Sequence, residues 1–101
     1  MKKINYHNLK VRSTANRYKN NGWKVHADAP GFKRPNPIGK YNRIPDVVAK
    51  KGKQVRIFEV ETPKSMKTDI QQRRAFSKHA SAKLNTTFKV LIAKKPGKRN
   101  R

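Results

Sequence analysis

Three stretches of this chain are both apolar and rich in β-branched residues: 44–49 (IPDVVA), 55–60 (VRIFEV) and 88–93 (FKVLIA). Only 34% of the residues are hydrophobic, so these runs are most of the material for a core. They read as strands, and the fold must be assembled around them. They also argue against disorder, the default for so charged a chain. A length of 101 residues fits one compact domain. With no cysteine, neither disulfides nor a thiolate metal site is available.

The segments between these runs complete an αβββαβ order. Residues 8–21 read as a helix, with Asn8 as N-cap, a Val11, Ala15, Tyr18 stripe, and Asn20-Asn21-Gly22 as a stop. Residues 23–28 alternate as a strand, and Trp23 is expected in the core, packing the first helix to the sheet. Residues 29–42, with Pro30, Gly31, Pro35, Pro37 and Gly39, form a long loop. Residues 43–50 and 54–61 read as two strands joined by a two-residue turn with Gly52 at its first central position. Residues 65–84 read as a second helix with Met66, Ile70, Phe76, Ala80 and Leu84 along one arc, and 86–93 as the last strand. The expected domain is 1–93, followed by a basic tail, 94–101.

The charge is lopsided: 27 Lys plus Arg against 5 Asp plus Glu, a formal +22. Such a body repels itself, and a polyanion relieves the repulsion. Each cation near a phosphate also releases counterions. Nucleic acid is therefore the first partner to consider. An anionic membrane ranks lower, because the basic residues spread along the whole chain with no broad apolar helix face. No stretch is long and apolar enough to span a bilayer. The start, Met1-Lys2-Lys3-Ile4-Asn5-Tyr6-His7, lacks the apolar run of a secretion signal. The expected location is the cytoplasm, or the host cytoplasm if the gene is viral.

The five acids are Asp28, Asp46, Glu59, Glu61 and Asp69. Asp46, Glu59 and Glu61 fall within strands that are otherwise apolar. If Gly52 and Lys53 form the turn, Lys51 pairs with Gln54, Val48 faces Ile57, and Asp46 faces Glu59. Opposed residues share a sheet face, and Glu61, two positions on, shares it too. Like charges so gathered call for neutralisation. Hard divalent cations such as Mg2+ take oxygen ligands from carboxylates and substrate phosphate, polarise phosphodiesters and activate water. The alternative is that the carboxylates pair with the chain's own cations.

Ile44-Pro45-Asp46, twelve residues, then Glu59-Val60-Glu61 resembles the signature of the PD-(D/E)xK, or restriction-endonuclease-like, nucleases. The resemblance covers most of the chain and implies an α/β fold with an αβββαβ core, its mixed central sheet flanked by helices. It implies a DNA-hydrolysing enzyme using Mg2+ or Mn2+, with Asp46 and Glu59 as ligands and Val60 contributing its backbone carbonyl, while Glu61 joins them as a candidate ligand only through the hairpin register. Glu61 stands where the family usually has Lys. Some relatives carry Glu there, and in others the Lys moves to a neighbouring element, where Lys64, Lys67 and Lys50 are the candidates. Of these, Lys64 is taken as the assisting residue. Gln72-Arg73-Arg74-Ala75-Phe76 is similar to the Q-x-x-x-Y motif of the RecB-like branch, with Phe for Tyr, which makes Gln72 a further active-site candidate. Asp69 and Arg73 would pair with each other or reach the site.

Lys10, Arg12, Arg17 and Lys19 on the first helix, with Lys33, Arg34, Lys40 and Arg43 from the loop, would grip the DNA backbone. Phe32 and Tyr41 would either stack on bases or pin the loop to the core. Branched or single-stranded DNA fits the lack of a base-reading module, and a homodimer would supply a second site. His7, His26 and His79 lack metal-ligand spacing. Asp28 is a fourth acid near Asp46, or a turn former before Pro30. Two other readings remain: a non-catalytic basic DNA- or RNA-binding protein, and a subunit or inhibitor-like partner active only in a larger assembly.

Overall fold

Asn5 starts the first element. Its side chain accepts a hydrogen bond from the Asn8 amide at 3.0 Å, capping helix α1 (Tyr6–Asn20). The helix therefore begins a residue pair ahead of the expected boundary, and Asn8 lies inside it. The structure, a computed structural model, describes residues 5–39 and 42–94. Lys40, Tyr41 and the 95–101 part of the expected tail lie outside the described residues. After α1 come β1 (Lys24–Ala27), β2 (Val47–Lys51), β3 (Gln54–Glu61), a 3-10 turn (Ser65–Lys67), α2 (Ile70–Ser81) and β4 (Thr86–Ile92).

The four strands form one mixed sheet in the order β1-β2-β3-β4. The pairs β1–β2 and β2–β3 are antiparallel, and β3–β4 is parallel, with α2 making the crossover. This is a small α/β domain with its helices on opposite faces. Val11 and Ala15 of α1 pack against Ala27, Val47, Phe58, Val60 and Ala93. The alternate residues of β3 turn the other way, where Ile57 is buried, its neighbour Phe88 on β4 meets Phe76 of α2 at 5.7 Å between ring centroids, and Phe76 is fully buried.

Three expectations need correction. The second helix is shorter than 65–84: Ser65 exchanges side-chain hydrogen bonds with Thr62, which tightens the chain into the 3-10 turn before α2 starts. Leu84 is consequently outside the helix and 89% exposed, so the arc ends at Ala80. Trp23 is half-buried rather than core, held edge-on against Tyr18 at 5.3 Å and under the Arg56 guanidinium at 4.9 Å. Residues 43–46 also precede the strand. Asp28 donates its amide to the Asp46 carbonyl at 2.9 Å, and Ile38 bridges Arg43.

The long loop is anchored. Lys33 accepts a hydrogen bond from the Ala27 amide at 2.9 Å, Pro35 is buried, and Phe32 lies half-buried against the core cluster. No helix among the described residues is long and apolar enough to cross a membrane.

Candidate metal-binding site

The hairpin sets the geometry. Gly52, at φ 58°, takes the left-handed turn position that L side chains disfavour. The register is Lys51↔Gln54, Val48↔Ile57 and Val47↔Phe58, the one counted outward from the turn. β2 stops at Val47 while β3 runs on to Glu61, so continuing the register sets Asp46 opposite Glu59. Beyond the end of β2, the Val60 amide has lost its strand partner. The Asp46 carboxylate replaces it, accepting from Val60 N at 2.8 Å through Oδ2. In a strand, one residue's N–H and C=O point to the same edge. The Glu61 carbonyl accepts from Ala93 on the β4 side at 2.7 Å, so the Val60 carbonyl faces the Asp46 side.

Glu59 is 2% exposed, and its Oε1 is buried with no hydrogen-bond partner. Burial, and next the Asp46 carboxylate beside it, push its pKa up to about 9. At neutral pH it therefore keeps its proton unless a cation comes close. Neither Lys50, Lys64 nor Lys67 forms an ion pair with Asp46, Glu59 or Glu61, and all three are exposed.

Glu61 is 1% exposed and shares the Glu59 face, but it is engaged elsewhere. Arg73 Nη1 donates to its Oε2 at 2.7 Å, while Arg73 Nη2 donates to the Met66 carbonyl at 2.7 Å. Burial raises the Glu61 pKa, and Asp69 adds to that against the lowering by Arg73. Of the two roles open to Arg73, the structure shows it reaching the site, where it ties α2 and the 3-10 turn to β3. Gln72 beside it accepts from Arg43 Nη1 at 3.5 Å. The side-chain contacts therefore gather Asp46 with Glu59, and Glu61 with Arg73, while Gln72 bonds to the loop.

His7 is not legible in the sequence as a site residue. Its Nε2 lies 3.4 Å from Asp46 Oδ2, carried there by the first turn of α1. A lone His before a helix stripe has no spacing signal, and only the tertiary packing reveals it. Asp28 is exposed and meets Asp46 through its backbone.

The expected DNA-gripping residues divide between surfaces. Arg12 and Arg34 line a hollow of about 420 Å³ with Asn8, Ala27 to Pro30 and Phe32. Lys19 stands 5.5 Å over the Phe32 ring. Lys10 is half-buried, while Arg17 and Lys33 are exposed. Arg43 belongs to a separate groove against α2.

Among the described residues, no three His, Cys, Asp or Glu side chains form a group able to hold a metal ion. The donors that converge are two carboxylates and, by strand geometry, one carbonyl. Hard divalent cations bind through such oxygens, with the remaining positions left to water or substrate phosphate. Comparison of the chain with family models, curated proteins and solved structures found no match.

Proposed function

We propose that this chain is a metal-dependent nuclease that hydrolyses DNA phosphodiesters, built on a restriction-endonuclease-like core. The observation that carries this reading is Glu59: a carboxyl buried beside Asp46, with an unpartnered oxygen, in a chain of formal charge +22. Among the described residues, no cation forms an ion pair with it. A buried carboxyl pair of this kind either stays protonated or accepts a cation from solution, and the orphaned Oε1 fits the second role.

Asp46 and Glu59 would hold Mg2+ or Mn2+, with the Val60 carbonyl on the same edge. The ion would supply Lewis acidity toward a phosphodiester and acidify water. Asp46 has two tasks in the chain itself: it completes the hydrogen bonding of β3 and carries negative charge beside Glu59. Arg73 is a positioning residue, fixing the Glu61 carboxylate and putting a cation where the motif otherwise has Lys. Arg12 and Arg34 share a hollow with Asp28, whose amide donates to the Asp46 carbonyl, and would take phosphates of the bound strand. With one such carboxyl pair among the described residues, cutting both strands of a duplex at once would call for a second copy.

A non-catalytic DNA- or RNA-binding protein is the second reading. It is favoured by the Arg73–Glu61 pair, which occupies the third carboxylate. Incubating the protein with supercoiled, linear, single-stranded and branched DNA in Mg2+, Mn2+ or EDTA separates the two. Cleavage that needs the ion, and that Asp46→Ala and Glu59→Ala abolish, supports the nuclease. Tight binding with every substrate left intact supports the second reading.

A further inference from the structure

One face of α2 is not used by the core or by the carboxylates. Gln71, Arg74, Ala75, Lys78, His79 and Ala82 follow one another at helical spacing, and Gly39 and Arg43 form the facing wall. The groove between them encloses about 650 Å³, within the range of ligand-sized clefts. Its composition is two-sided. Ala75 and Ala82 keep the floor low and apolar, while Arg43, Arg74 and Lys78 supply positive charge, and among the described residues no acidic one lines it.

Arg43 links the groove to the segment that carries Asp46. Arg43 is three residues before Asp46 along the chain, and it donates to Gln72, whose neighbour Arg73 holds Glu61.

We propose that this groove receives unpaired nucleotides of a DNA strand, with bases against the alanine and His79 floor and phosphates on Arg74 and Lys78. The inference rests on the nucleic-acid part of the reading above and adds a preference for single-stranded segments. Charge complementarity sets the sign of the partner. The floor sets its form, because bases in a duplex are stacked inward and present mainly phosphates to such a cleft, whereas an unpaired base can stack on the His79 ring with the small alanines leaving room beside it. His79 suits that floor: burial first, then Lys83, lowers its pKa, favouring the uncharged ring.

The test is fluorescence anisotropy with a labelled 12-nucleotide single strand and the duplex of the same sequence, both in EDTA. Ala75→Leu fills the floor without changing charge and at only a small cost in helix propensity. It is expected to weaken single-strand binding about tenfold and to leave duplex binding within about twofold, as expected for losing one stacked base. His79→Ala is expected to weaken single-strand binding in the same direction, and His79→Phe to restore it. Unchanged single-strand affinity in Ala75→Leu and His79→Ala overturns the proposal, as does an equal loss on duplex. Because binding is read without divalent ions, absent cleavage leaves a positive result standing. A failed preference likewise leaves the metal-dependent reaction untouched.

Discussion

The Asp46 carboxylate accepts the Val60 amide at 2.8 Å, just where β3 outruns its partner strand. The same side chain therefore satisfies the backbone and faces Glu59. Asp46→Asn keeps an oxygen that can accept from Val60, whereas Asp46→Ala leaves a buried amide unmatched, at about 1–3 kcal/mol. Thermal melts without metal should show Asn near wild type and Ala lower, while DNA cleavage is lost in both.

Glu59 gives stability a definite pH dependence. Below pH 4.5 both folded and unfolded chains hold its proton, and it contributes nothing. Between 4.5 and about 9 the unfolded chain releases a proton that the folded chain keeps. Stability therefore falls as pH rises through that window, by up to about 1.4 kcal/mol per unit. Glu59→Gln removes this slope, so its melting temperature relative to wild type should rise from pH 5 to pH 8. Parallel curves for the two proteins would contradict the assigned environment.

The hairpin is legible in the sequence because one glycine turn sets a count: Gly52 and Lys53 dictate Val48 opposite Ile57, and the Asp46–Glu59 pairing follows. The element order is legible for the same reason that the core is small, since few runs could be strands. Helix ends are not. Asn5 and Asn8 are both competent caps three residues apart, and Ser65 with Thr62 turns what reads as helix into a 3-10 turn. Arg73 interrupts an apolar arc, and its reason is Glu61 beneath it. His7 depends on how α1 crosses the sheet, and only closeness in sequence points to Lys64.

Arg73 should behave as a structural and positioning residue together. Arg73→Ala strands the Glu61 carboxyl in the interior and should destabilise by about 3–5 kcal/mol. Arg73→Lys retains one charge but not both hydrogen bonds, to Glu61 and to Met66. Urea unfolding should rank wild type above Lys and Lys above Ala. A flat ranking would show that the pair is not formed.

Binding by the α1 side should be electrostatic. Replacing Arg12 and Arg34 together by Ala takes up to two cations away from the phosphates. On duplex DNA this should flatten the dependence of log affinity on log salt by about 0.9 for each phosphate no longer neutralised. Titrations across a range of salt concentrations read the slope directly, and an unchanged slope would place the phosphates elsewhere.

The most direct measurement is calorimetric titration of Mn2+ into the DNA-free protein at pH 8, in wild type, Asp46→Asn and Glu59→Gln. A saturable site in wild type, lost or strongly weakened in both variants, is the predicted result, because the proposed site takes its charge from these two carboxyls. No saturable binding in wild type, or equal binding in all three, would contradict the central claim that this buried pair is a divalent-cation site.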